Sequence, residues 1–175
     1  MKNLIKFFAV LLLVFGYTSC DELDKLTEID IDSTLTGIIP VDVAGGEMVN
    51  LNNSVTINIA DGGQDIVDNL NKIEKVKIIS LTYTVMNLNG DNTGTITADL
   101  KANTVVMDTH TNAVVFDQIG VVHTIDDTTT LNTIANLLKN GSDVVFAITG
   151  TSTNEGGMIF DIQVTADIEV TVDAG

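Results

Sequence analysis

The amino-acid sequence predicts a mainly β protein: an antiparallel two-sheet β-sandwich with two short helices, with a closed β-barrel as the alternative. Three observations carry that expectation. Apolar residues recur with period two over most of the chain. Asn, Asp and Gly clusters punctuate the alternating runs. Only two segments carry helical spacing instead.

In chain order, Ile29, Ile31, Leu35, Ile39, Val41 and Val43 hold one parity, and Val55, Ile57 and Ile59 form a second run. This is how strands with one face in a core and one in water are written. Residues 65–73 place Ile66, Leu70 and Ile73 on one helical face. Residues 76–87 form a long strand whose parity slips between Ile78 and Ile79, which predicts a bulge or two-sided burial. Asn89-Gly90 predicts a tight hairpin into the strand of Ile96, Ala98 and Leu100, because glycine supplies the positive φ such turns need. Residues 108–112 read as a turn separating Val105, Val106 and Met107 from residues 113–116.

Residues 131–139 set Leu131, Ile134, Ala135 and Leu138 at helical spacing. Asp127 or one of Thr128, Thr129 and Thr130 is expected to cap the start, and Gly141 to close the end. Residues 144–148 are continuously apolar and read as a central strand. After the connection 154–157, Met158, Phe160, Ile162, Val164, Ala166, Ile168, Val170 and Val172 alternate without a break. At about 3.3 Å per residue this strand would span roughly 50 Å. A bend or bulge near residues 165–167 is therefore expected, letting the segment serve two sheets.

Composition excludes several functions. The 175 residues hold 24 acids and eight lysines, no arginine, and a formal charge of −16. Nucleic acid is not an expected partner, since a polyphosphate needs a basic surface to release its counterions. One cysteine cannot make a disulfide scaffold. The length fits one domain behind a targeting segment.

That segment is residues 1–19. Lys2 and Lys6 form a basic start, residues 7–15 an apolar core, and Gly16, Tyr17, Thr18 and Ser19 a small or polar approach to Cys20. A spanning helix needs about 20 apolar residues, and the uncharged stretch 7–20 falls short of that. The arrangement resembles the lipobox of bacterial lipoproteins in its looser, Bacteroidota-type form. Ser19 and Thr18 suit the last two lipobox positions, while Tyr17 stands where Leu is usual.

The resemblance implies removal of residues 1–19, a lipid on the Cys20 thiol and an acidic tether over residues 20–27. One sandwich domain then spans residues 28–175. Loss of the two signal lysines would take the formal charge from −16 to −18. Lipid, not protein surface, would then hold the chain to the outer membrane, because an acidic body is repelled by anionic headgroups. Asp21-Glu22-Leu23-Asp24 is similar to the acidic export signals that send some such lipoproteins to the cell surface. Asp32-Ser33-Thr34 and Asp127-Thr128-Thr129 match the three-residue O-glycosylation pattern of these bacteria, which implies Ser33 and Thr128 as acceptors. The body also resembles their small β-sandwich lipoproteins of unassigned activity.

The search for chemistry is less productive. There is no G-x-S-x-G elbow, H-E-x-x-H helix or phosphate-cradling glycine loop. His110 reads as a turn residue and His123 as a strand residue between Val121 and Ile125. Neither spacing suggests a metal site, which needs three or four ligands. Residues 87–92 and Asp126-Asp127 are the acidic loops best suited to Ca²⁺, but the first departs from EF-hand spacing and lacks its distal Glu. They read as turns, and no cofactor is expected. Ser33, Ser54, Ser80, Ser142 and Ser152 supply serines for a dispersed triad only by chance, so no catalytic residue is nominated.

The expectation is a non-enzymatic, lipid-anchored module for adhesion, envelope structure or complex assembly, with an envelope protein or glycan as partner. The alternative is a lipoprotein that holds a small apolar molecule or glycan between its sheets. Few aromatic side chains are available for sugar stacking: Tyr83, Phe116, Phe146 and Phe160.

Overall fold

The computed structural model describes residues 28–173 and 175. The signal, Cys20 and the tether lie outside them. The strands are β1 (Glu28–Val43), β2 (Gly46–Ile57), β3 (Ile73–Gly90), β4 (Thr95–Ala102), β5 (Val105–Val114), β6 (Val122–Thr124), β7 (Val144–Asn154) and β8 (Met158–Asp173). The helices are α1 (Gln64–Val67), between β2 and β3, and α2 (Thr128–Lys139), between β6 and β7. Two four-stranded sheets, β1-β8-β3-β6 and β2-β7-β4-β5, pair antiparallel throughout. They form a sandwich, not a closed barrel.

The alternating residues meet between the sheets. Phe160, Val164 and Ile168 of β8 and Leu35, Ile39 and Val41 of β1 face Phe146 and Ile148 of β7, all essentially without solvent contact. β7 lies inside its sheet, as its continuous apolar start predicts. The slip at Ile78 is a bulge: the β3–β8 register shifts between Ile78 and Ser80. Ile79 is left 53% exposed there.

The bulge expected at residues 165–167 is not in β8 itself, and the segment does not serve two sheets. β8 pairs with β1 over its whole length with no register shift and serves one sheet. The adjustment sits in the partner strand, because the bulge of β3 lies opposite Asp167 and Ile168. The extra residue is accommodated at Ile79, so β8 keeps its alternation.

Two turn expectations are also corrected. Asn89-Gly90 makes no hairpin, because β3 and β4 belong to different sheets and residues 91–94 cross between them. Gly90 has φ +100°, and a Cβ there would collide with the carbonyl of Gly157. Its glycine is required by close backbone approach across the end of the sandwich. Residues 108–112 are not a turn but lie within β5. The polar cluster marks a bulge, where Asn112 takes φ 50° and the β4–β5 register shifts between Ile96 and Ala98. The turn itself is at Asn103 (φ 53°), whose backbone N–H donates to Val145 O while its side chain accepts from Val145 N.

α2 is built as its sequence suggests. The Asp127 carboxylate accepts from Thr130 N at 2.7 Å. At the other end Gly141 N–H reaches Leu138 O and Ser142 N–H reaches Leu137 O, both 3.0 Å, a Schellman closure with Gly141 at φ +67°. Ile134, Ala135 and Leu138 are buried against the body. The first helix is shorter than its nine-residue spacing suggests. It holds one α-turn and then a separate 3₁₀ turn, Leu70–Lys72, after which Ile73 opens β3. So short a helix lacks the length to repay nucleation. Asn69 also bonds back to Asp65 O through its side chain and takes φ −118°.

Candidate functional site

The inner face of a sandwich strand should be apolar, and on β5 it is not. Ala98 and Leu100 of β4 point into the core, and their cross-strand partners are His110 and Asp108. Neighbours across a ladder share a face, so both polar side chains turn inward. On the opposite sheet Tyr83 of β3 pairs with His123 of β6. The four meet at the seam where edge strands β5 and β6 face each other.

Tyr83 is 2% exposed, and its ring stacks on His123 with centroids 4.6 Å apart and planes 4° apart. Its hydroxyl contacts both Asp108 Oδ2 and, at 2.7 Å, His110 Nε2. A phenol has one proton and a carboxylate only accepts. Tyr83 therefore donates to Asp108 and accepts from His110 Nε2–H, which assigns the tautomer of His110. The two imidazoles meet edge to face at 5.5 Å.

Burial pushes the Tyr83 hydroxyl well above its ordinary range, and the hydrogen bond to Asp108 and its charge add to this. Tyr83 is thus a fixed neutral donor and no nucleophile at physiological pH. His123 is pushed below its ordinary 6.5, first by desolvation and then by His110, with the charge of Asp108 opposing. Its Nε2 is buried without a hydrogen-bond partner. The cavity behind the cluster, lined by Tyr83, His110, Ile96, Ala98, Phe160 and Ile162, measures about 20 Å³. That is room for about one water, against roughly 300 Å³ or more for a ligand pocket. The arrangement is a polar clasp across a seam, with no space to admit a substrate.

The rim of this seam is apolar and open. Phe116, Ile119, Val121 and Val122 are all exposed, Phe116 at 55% and Val122 at 63%. The spacing Asp108-x-His110 puts those two on one face of a strand, but nothing along the chain relates them to Tyr83 or His123.

The other singled-out residues lie elsewhere. Ser33 sits half-buried on β1, its hydroxyl donating to Gly62 O at 2.5 Å. Thr128 is exposed at the first turn of α2. Cys20 is outside the described residues. Asp91, in the acidic loop, accepts from Thr93 Oγ1 at 2.7 Å, Glu155 N at 2.7 Å and Thr93 N at 2.8 Å. These bonds, that from the Thr93 hydroxyl foremost, hold it at about 2. Asp127 caps α2. These carboxylates act as turn and cap acceptors. Among the described residues no group of three or more His, Cys, Asp or Glu side chains is placed to hold a metal ion. Ser80 and Ser152 hydrogen-bond to Asp167 and Asn154, not to either histidine.

No family model and no curated protein matches the chain. Among solved structures, a decameric BFDV capsid protein aligns over 81% of this chain and 99% of its own, at 10% identity and a TM-score of 0.42. Desmodium yellow mottle tymovirus aligns over 83% and 89%, at 9% identity and a TM-score of 0.29. Likenesses at this level carry no argument about activity or assembly.

Proposed function

We propose that the protein is a lipid-anchored module of the bacterial cell envelope, non-enzymatic, working in adhesion, envelope structure or complex assembly through its outer surface. The observation that carries the reading is the position of the single cysteine, Cys20, directly after the apolar segment 7–15 and just ahead of the domain. Among the described residues no helix is long and apolar enough to cross a membrane.

The body supports a surface role. Its interior is filled, and the 20 Å³ cavity does not favour a ligand held between the sheets. The outer faces differ in charge. The first sheet carries Asp30, Asp32, Asp161, Asp167 and Glu169 on its solvent side. The second presents Thr95 beside Thr153 and Thr97 beside Thr151, with one ion pair, Asp99–Lys101, at 3.5 Å. Such a neutral hydroxyl face offers hydrogen bonds to a glycan or an envelope protein without like-charge repulsion.

The test is metabolic labelling with a fatty acid, followed by surface labelling of intact and permeabilised cells. Label on the wild type, absent from Cys20→Ser, is the expected result, as is release of Cys20→Ser from the membrane fraction. A membrane-bound Cys20→Ser protein, or an unlipidated wild type, overturns the anchor. Surface labelling of intact cells supports capture of external partners. Labelling only after permeabilisation refutes surface display.

A further inference from the structure

A sandwich of two open sheets has four edges, and each exposes unpaired backbone groups unless it is blunted. Three are blunted by their sequence, and the fourth, β6, only by its shortness. β1 carries Pro40, which has no N–H, and outward acids such as Asp32 and Asp42. β2 is broken at its start by a bulge, with Met48 at φ 55°. β5 has two register shifts. β6 has no proline, bulge or charged side chain, its own Val122 is exposed, and so are Phe116, Ile119 and Val121 just before it.

The register says which backbone groups are free. Ile125 N–H donates to Leu81 O at 2.9 Å, so the pair 81/125 is hydrogen-bonded. Antiparallel pairs alternate, which makes Tyr83/His123 hydrogen-bonded and turns the N–H and C=O of Val122 and Thr124 outward. No other described strand pairs with β6, which ends its sheet. The surrounding charge has one sign: residues 116–127 hold three acids, Asp117, Asp126 and Asp127, and no lysine.

We propose that the open edge of β6 and its apolar flank take up an extended peptide segment of a partner protein, apolar at alternate positions and flanked by basic residues, as an added strand of the first sheet. The outward groups of Val122 and Thr124 supply the backbone pairing. Phe116 and Val122 supply the apolar contact, and Asp117 and Asp126 meet the basic ends. Because β6 is only three residues long, side chains must contribute much of the affinity. A second copy of this chain is the less suited occupant, since it brings a formal charge of −16 to the same acidic rim. The inference deepens the assembly reading above and rests on it for where the partner is met.

The experiment titrates the full-length protein with a synthetic peptide alternating valine and threonine between terminal lysines. Residue-level hydrogen exchange is the readout. Expected is at least tenfold slower exchange at the Val122 and Thr124 amides, with at least tenfold weaker binding when the terminal lysines are replaced by glutamates. Val122→Pro removes an N–H that bonds to nothing inside the fold and should abolish binding. Phe116→Asp, outside any strand, should weaken it tenfold or more and keeps the test independent of how Val122→Pro folds. Unchanged exchange at the two amides, or equal affinity for the glutamate peptide, overturns the proposal. Protection that grows with protein concentration alone overturns it in favour of a second copy. The peptide titration is expected to be the same in Cys20→Ser, so the anchor and the edge can fail separately.

Discussion

The two long seams of the sandwich close in opposite ways. On the β1/β2 side closure is dry. Gly37 lies buried on β1, and a Cβ there would sit 2.8 Å from Ile57 Cδ1 and 2.9 Å from Val55 Cγ1. On the β5/β6 side closure is polar, through Tyr83, Asp108 and His110, with His123 stacked beneath. The first seam is specified mainly by volume, with one side-chain hydrogen bond across it, from Asn53 Nδ2 to Pro40 O at 2.9 Å. The polar seam is specified by hydrogen-bond geometry, which fixes the tautomer of His110 and joins it to Asp108 through the Tyr83 hydroxyl. It is also tied to pH through a buried imidazole. One fold thus uses steric fit along one seam and a polar network along the other.

The largest effect should come from the dry seam. Ile57→Ala removes a side chain that is 2% exposed and should cost about 2–5 kcal/mol, because the surrounding strands cannot collapse into the space. Urea denaturation measures it, and a loss under 1 kcal/mol would mean this seam is loosely packed. Gly37→Val tests the same seam by overfilling and should cost about 1–3 kcal/mol. A neutral result would show that Ile57 and Val55 can retreat.

The polar seam should respond less in energy and differently in kind. Tyr83→Phe keeps the ring on His123 but removes the hydroxyl that joins Asp108 Oδ2 to His110 Nε2, at a cost of about 1–3 kcal/mol. If the loss is no larger than in Asp108→Asn, the carboxylate and not the phenol holds the seam.

The pH dependence sharpens the contrast. The folded chain holds His123 below its ordinary 6.5. Below that pH the unfolded chain takes up a proton first, so this contribution is complete above 6.5 and is lost as pH falls toward the depressed folded value. His123→Phe keeps a ring against Tyr83 and removes the titration. Thermal unfolding between pH 7 and 5 should therefore fall more steeply in the wild type than in His123→Phe, and parallel curves would remove His123 from the account. The smallest effect lies away from both seams. Asp127→Ala should cost about 1 kcal/mol by uncapping α2, read as a modest drop in midpoint with an unchanged denaturant slope.

Much of the fold was legible because its signals are local. The alternation of β8, the slip at Ile79, the caps of α2 and the apolar start of β7 are each written in neighbouring residues. The misreadings share a cause. Asn and Gly mark positive φ but not its purpose, so Asn112 signalled a turn and served a bulge. Gly90 signalled a hairpin and served a close approach to Gly157. The bend or bulge expected in β8 failed because a register conflict can be resolved by either strand, and here β3 resolves it. The clasp was not legible at all. Its members stand on three strands in two sheets, and no spacing along the chain records which strands become edges on the same side.

By itself the sequence determined the class of the fold and its acidity, because periodicity and charge are properties of residues close together in the chain. Only the tertiary structure decided that Tyr83 meets Asp108, His110 and His123, and that β6 ends the first sheet beside an exposed apolar flank. Those outcomes depend on strand order. Strand order is chosen by the packing of two whole sheets against each other, a cooperative property that no single segment carries.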